Sequence, residues 1–147
     1  MQRRNFFKTL LAGVAASSAI AATSRASEPA KQKVVYHLAD AEKVKFVLGN
    51  IQNHIKGVGG PDHVEIALVV HGPALAAFQD ISAEAAVKDT VARLNATKRV
   101  SLAACGNTLR HDKLELSDLL PGFVRVDEGG VVRIAQLQAQ GYVYLRP

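Results

Sequence analysis

The sequence predicts a single α/β domain with a mostly parallel five-stranded sheet and helices on both faces. Five short runs rich in apolar and β-branched residues alternate with stretches of helical spacing, the order that produces parallel strands joined by helices. The second run, residues 64–70, is nearly continuously apolar, as expected for a central strand with helices on both sides. One compact core and one domain are therefore expected.

The predicted strands are residues 34–38, 64–70, 99–104, 123–126 and 142–145. Asp40 is placed to cap the first helix, whose apolar face consists of Val44, Val47, Leu48, Ile51 and Ile55. Helical patterns also cover residues 82–95, about 105–111 and 131–140, with a short turn at 116–120. No internal repeat or domain boundary interrupts this order.

The first 26 residues are typical of a twin-arginine signal peptide. Arg3 and Arg4 precede two phenylalanines and Lys8. Residues 9–22 carry no charge but are too few for a bilayer core, which needs about 20 apolar residues. Small residues before position 27 predict cleavage after Ala26. We therefore expect residues 27–147 to function in the periplasm, with no membrane contact after cleavage.

The net charge belongs mainly to this leader. The chain has 18 Lys and Arg against 13 Asp and Glu, and four of the basic residues, with no acidic one, precede residue 27. The remainder carries 14 basic and 13 acidic residues, a net charge of +1. Without a basic cluster, nucleic acid is not an expected partner.

Three chemically capable residues fall at predicted strand ends. His37 lies near the end of the first strand, His71 follows the second, and Cys105 ends the third. In open parallel sheets, ligands bind beyond the carboxyl ends of the strands. If the strand order is the common 2-1-3-4, all three side chains are expected at one rim.

Cys105 is the sharpest candidate, because it precedes Gly106, Asn107 and Thr108 at a predicted helix start. Backbone N–H groups there lower a thiol pKa and favour the thiolate. Gly106 is expected to leave room for a ligand or partner, and Asn107 or Thr108 to donate to a thiolate or bound sulfur. The alternative is a buried, inert cysteine. It is the only cysteine, so no internal disulfide forms.

The two histidines have alternative interpretations. His71 is a candidate general base or thiolate partner, or a loop residue that stabilises its turn. His37 has the same two interpretations. A zinc or copper site of His37, His71 and Cys105 is conceivable but lacks diagnostic spacing, so no metal is predicted. Dinucleotide, phosphate-loop and Cys-x-x-Cys motifs are absent, so no cofactor is expected.

Residues 34–147 resemble the DsrE/DsrF-like, or YchN-like, family of small sulfur-relay proteins. The resemblance lies in the opening Val-Val-Tyr-His-Leu and the first amphipathic helix, and in three later segments: Ile-Ala-Leu-Val-Val-His-Gly-Pro at 66–73, Ser-Leu-Ala-Ala-Cys-Gly-Asn-Thr-Leu at 101–109, and residues 129–142. It implies a five-stranded α/β sheet and assembly into trimers or hexamers. It also implies a persulfide on Cys105, received from one protein thiol and passed to another.

Relay members of this family are cytoplasmic, so an exported member is expected to have a different donor and acceptor. The leading hypothesis is a periplasmic sulfur-binding or sulfur-transfer protein, which leaves open whether it is an enzyme. One alternative is a non-catalytic oligomeric module that binds a small ligand or metal at the strand-end rim. Another is an oligomeric structural partner with an inert cysteine.

Overall fold

A computed structural model describes residues 31–147, and the predicted leader and its cleavage point lie outside this range. The strands are β1 (Gln32–Leu38), β2 (Val64–Val70), β3 (Val100–Cys105), β4 (Phe123–Val126) and β5 (Val143–Leu145). The helices are α1 (Val44–Gly57), α2 (Ala85–Ala96), α3 (Gly106–Asp112) and α4 (Gly130–Ala139). Within the described range, the predicted strands and these four helices all occur, with ends displaced by a few residues.

The strands form one parallel sheet in the order β4-β3-β2-β1-β5. The expected 2-1-3-4 order is wrong, because each of the first three connections leads to the adjacent strand and only the last crosses back to the other edge. The carboxyl ends nevertheless share one rim, since all pairs are parallel. The residues at the ends of β1, β2 and β3 therefore lie on three neighbouring strands.

Helices cover the two faces unequally. The larger apolar cluster packs α1, α2 and α3 on one face, with Leu48, Leu94 and Leu109 almost fully buried. The smaller cluster packs α4 on the other face, through Ile134 and Leu137. The chain crosses the sheet from β1 to β4 with helices on one face and returns to β5 through α4 on the opposite face. Right-handed crossovers require this change of face.

Two local features differ from the sequence prediction. The side chain of Asp40 forms no capping hydrogen bond; its carboxylate instead lies 3.4 Å from the Arg146 guanidinium. A 3-10 segment, Gly72–Phe78, follows β2 and was not predicted. It buries Leu75 and Phe78, so core packing stabilises the segment. A 3-10 helix has about three residues per turn, so its apolar residues do not follow α-helical spacing.

None of the helices within residues 31–147 is both long enough and apolar enough to cross a membrane.

Candidate functional site

Strand register places four reactive side chains on the face covered by α4. Alternate residues of a strand point to the same face, and the α4 face holds Val35, Ala67, Val69 and Ala103. His37, His71 and Cys105 continue this alternation at the ends of their strands, and Tyr144 pairs with Val35. The side chains thus follow one another across β5, β1, β2 and β3, about 4.8 Å per strand.

Cys105 ends β3 beside the end of β4, and the chain leaves these two strands toward opposite faces of the sheet. β3 continues into α3 on one face, and β4 into α4 on the other. Open parallel sheets bind ligands at such a position. The side chain is buried, with 5% of the residue exposed, and its sulfur accepts the N–H of Gly130 at 3.2 Å. The first residue of α4 therefore contacts the thiol directly.

The pKa of the Cys105 thiol is lowered. Burial raises this pKa, but four polar groups outweigh it: the Thr108 and Gly130 backbone N–H groups, the Thr108 hydroxyl and the Asn107 N–H. The sulfur forms no regular capping hydrogen bond with α3, so the Asn107 and Thr108 groups act from less favourable geometry than Gly130. Charge-assisted hydrogen bonds of this kind favour the thiolate, which is the nucleophilic form.

Thr108 joins the second and third strand ends. Its Oγ1 accepts the backbone N–H of Gly72 at 2.9 Å, and Gly72 directly follows His71. The hydroxyl hydrogen then remains available to donate toward the Cys105 sulfur. Donation from Thr108 to a thiolate or a bound sulfur stays a prediction.

Gly106 and Gly129 are required by close backbone packing. A Cβ on Gly106 would lie 2.8 Å from the Val126 carbonyl oxygen, so the predicted open space for a ligand is instead filled by the end of β4. Gly129 has φ +99°, and a Cβ there would lie 2.5 Å from Asn107 Nδ2. These contacts hold the start of α4 over the sulfur.

Asn107 contributes through its backbone rather than its side chain. The amide side chain is exposed, and its Oδ1 accepts a hydrogen bond from Arg110. Arg110 also donates to the Asp127 carbonyl oxygen at 3.4 Å. The Asn107 side chain therefore stabilises the loop after β4, while the Asn107 backbone N–H faces the thiol.

His37 and His71 form a coupled pair beside Cys105. Their Nε2 atoms lie 2.5 Å apart, and the Nδ1 of His37 lies 2.7 Å from the Tyr144 hydroxyl. A Cβ placed on Gly130 would lie 3.4 Å from the His71 Cβ and 3.5 Å from the Cys105 Cβ. The side chains of His71 and Cys105 therefore both start beside Gly130, and the three residues lie at one rim, as predicted.

The environment of the pair favours the neutral form of both imidazoles. Burial lowers the pKa of His37, and His71 and Arg146 lower it further. Burial and Arg146 likewise lower the pKa of His71. The carboxylate of Asp40 partly offsets both effects.

A metal centre is not evident in residues 31–147, where no group of three or more His, Cys, Asp or Glu side chains is arranged to hold an ion. Two surface cavities of about 360 Å³ lie elsewhere. One is lined by residues of α1 and α2, and the other by residues at the opposite ends of β2 and β3. Neither includes Cys105 or the histidines.

The sequence prediction missed two parts of the site. Gly129 and Gly130 were treated only as part of the resemblance, although a Gly-Gly pair before a helix can signal close approach of a helix start. Tyr144 was assigned to the last strand without a role. Its contact with His37 depends on β5 pairing with β1, which no local sequence pattern reveals.

Fold and site define a five-stranded parallel α/β protein with a buried thiol at its strand ends. Among solved structures, MTH1491 of Methanobacterium thermoautotrophicum, a protein of unknown function, matches with 28% identity and a TM-score of 0.69, over 80% of this chain and all of its own. The ychN protein of E. coli matches with 13% identity and a TM-score of 0.54, over 80% and 99%. No protein-family model and no curated protein matches the chain. The chain therefore has the YchN-like fold that the resemblance implied.

Proposed function

We propose that this protein is an exported sulfur carrier that holds a persulfide on Cys105. The observation that carries the proposal is the hydrogen-bonding environment of that sulfur, which favours a thiolate despite burial. The YchN-like fold supports the same function through the resemblance to sulfur-relay proteins. The leader pattern at residues 1–26 supports export to the periplasm.

Loading follows thiol exchange chemistry. The Cys105 thiolate attacks the terminal sulfur of a donor persulfide, R–S–SH, and the donor S–S bond breaks as a new one forms on Cys105. The products are Cys105–S–SH and the donor thiolate, R–S⁻, so no external oxidant or reductant is needed. A second thiolate then removes the terminal sulfur and restores the Cys105 thiolate. One cysteine is sufficient for this cycle.

Intact mass spectrometry tests this proposal. Because Cys105 is the only cysteine, wild-type protein incubated with polysulfide should gain one or more sulfur masses, which a reductant removes. Cys105→Ser is the matched control and should gain none. If reduced wild-type protein also gains none, the carrier function is wrong.

We also propose that the protein forms a homo-oligomer, as the resemblance implies. Apolar side chains remain exposed on or beside α4, which among the described helices alone covers its face of the sheet. They are Val124, Val131 and Val132. An exposed apolar surface on one face of a fold is typical of a protein interface. A trimer or hexamer would cover it.

A second candidate is a binding module for a small ligand or metal at the same rim. The two facing Nε2 atoms of His37 and His71 favour it. Metal recovered with the purified protein, and lost in His71→Ala but not in Cys105→Ser, would support the module over the carrier.

A further inference from the structure

Tyr144, His37 and His71 form a continuous line of contacts from the surface to the strand end beside the buried thiol. The Tyr144 hydroxyl contacts His37 Nδ1, and His37 Nε2 contacts His71 Nε2. Exposure falls along the line: Tyr144 is 38% exposed, the histidines are half-buried, and Cys105 is 5% exposed. Sulfur attack by Cys105 itself does not use this line, because its thiolate is stabilised by backbone N–H groups and Thr108.

We propose that this line is a proton relay, in which His71 deprotonates the acceptor thiol that removes sulfur from Cys105. The inference rests on the proposed sulfur-carrier function and names the chemical class of the acceptor: a thiol that is still protonated when it reaches the site. His71 is then the general base, and His37 and Tyr144 are relay residues that conduct the proton to solvent.

Of the four ring nitrogens in the two histidines, His71 Nδ1 is the one that contacts neither the other histidine nor Tyr144. In the aligned tautomers, His71 Nε2–H donates to His37 Nε2, and His37 Nδ1–H donates to the Tyr144 oxygen. A proton taken from R′–SH at His71 Nδ1 displaces the Nε2 proton to His37, which passes its Nδ1 proton to Tyr144 and on to water. The resulting R′–S⁻ attacks the terminal sulfur and yields R′–S–SH and the Cys105 thiolate.

The surrounding charges suit a base that is neutral before reaction. Besides each other, the imidazoles face Tyr144 from β5, Arg146 after β5, Asp40 after β1 and Cys105 from β3. Arg146 disfavours a second positive charge on the pair, while the Asp40 carboxylate, paired with Arg146, limits that effect. A neutral imidazole pair can accept and release a proton within one step.

Single-turnover sulfur transfer from loaded Cys105 tests the relay with two acceptors. An alkyl thiol, with a pKa near 8.5, needs a base at neutral pH, whereas a more acidic aromatic thiol is already ionised. We expect His71→Gln to slow transfer to the alkyl thiol about 100-fold and transfer to the aromatic thiol little. The matched control is His63→Gln, an exposed histidine before β2, which should behave as wild type. Equal rates of His71→Gln and wild type with the alkyl thiol would overturn the relay.

A second variant and a second readout guard against misfolding of His71→Gln. Tyr144→Phe retains both imidazoles and should slow alkyl-thiol transfer about tenfold. In Cys105→Ser protein, which carries no sulfur, NMR of the ring nitrogens should show His37 and His71 titrating as a coupled pair. Adding Tyr144→Phe should shift the ring-nitrogen resonances of His37. Independent titration would overturn the relay whether or not Cys105 carries sulfur. If neither the wild-type protein nor any variant that retains Cys105 gains sulfur, the carrier function is contradicted instead.

Discussion

At the scale of single residues, Thr108 supplies two of the groups that lower the pKa of the Cys105 thiol. Its hydroxyl and N–H both lower the pKa of Cys105, and its oxygen also accepts the Gly72 N–H. A hydrogen bond to a charged group contributes about 1.5–3 kcal/mol. Removing one such bond therefore changes reactivity measurably without removing the nucleophile.

Thr108→Val should raise the pKa of Cys105 and slow its alkylation at neutral pH by about tenfold, since about 1.4 kcal/mol corresponds to a factor of ten. The rate of alkylation by a small iodoacetamide, followed against pH, measures both. Thr108→Ser keeps the hydroxyl and should remain near the wild-type rate. A rate unchanged in Thr108→Val would show that the hydroxyl does not stabilise the thiolate.

The histidine pair links stability to pH. Because the pKa of each imidazole is lower in the folded protein, the unfolded chain binds protons more tightly. The stabilisation is complete above the unfolded value of about 6.5 and is lost as the pH falls through the folded values. The free energy of unfolding should therefore decrease on acidification below about pH 6.5.

Urea unfolding between about pH 5 and 7.5 measures this dependence. The double variant His37→Gln/His71→Gln should show a shallower decrease than wild type, and His63→Gln should keep the wild-type slope. A double variant with an unchanged slope would contradict lowered pKa values in the half-buried pair.

At the scale of secondary-structure elements, the site depends on how closely α3 approaches the end of β4. Gly106→Ala would place a Cβ 2.8 Å from the Val126 carbonyl oxygen, a backbone atom that cannot rotate away. We expect a loss of about 1–3 kcal/mol in the free energy of unfolding. Gly49→Ala, within α1 and with nothing within 4 Å, should instead gain up to about 1 kcal/mol.

Thermal or urea denaturation compares the two glycine variants directly. Equal stability of Gly106→Ala and wild type would mean that α3 and β4 are not as close as described. Reduced Cys105 alkylation in Gly106→Ala alone would further tie this packing to the geometry of the thiol.

The elements differ in how far the sequence predicts them. The bounds predicted for residues 64–70 and 123–126 are the observed ones, because turn residues delimit both short runs of strand-forming residues clearly. The segment after β2 was missed, because its 3-10 geometry is stabilised by the burial of Phe78 against distant Phe123. Cys105 was identified at its strand end, but its burial under Gly130 depends on α4, which is 25 residues away in sequence.

At the scale of the whole molecule, sheet order was the main unpredicted feature. Local patterns establish that strands are parallel but not which edge the last strand joins, and the position of β5 beside β1 creates the Tyr144–His37 contact. Within residues 31–147, the same topology leaves α4 as the only helix on its face. The exposed apolar residues of that face are therefore a consequence of the fold rather than of α4 alone.

Assembly through the α4 face can be tested with one substitution. Light scattering of the purified protein should give the mass of a trimer or hexamer, and Val131→Asp should reduce it, because Val131 is 69% exposed on α4. Phe46→Asp, on α1 of the opposite face and 60% exposed, should leave the assembly intact. A monomeric wild-type protein would contradict the proposed oligomer.

The direction of sulfur transfer tests the central claim, because Cys105–S–SH offers two sulfurs to an acceptor thiolate. Attack on the terminal sulfur gives R′–S–SH and free Cys105, whereas attack on the inner sulfur gives a mixed disulfide and releases HS⁻. Burial of Cys105 Sγ shields the inner sulfur.

The decisive measurement is the intact mass of loaded protein after reaction with a small thiol. The protein should return to its unmodified mass as the thiol gains one sulfur. Accumulation of a protein–thiol disulfide, with sulfide released, would contradict a Cys105 site built to pass on its terminal sulfur.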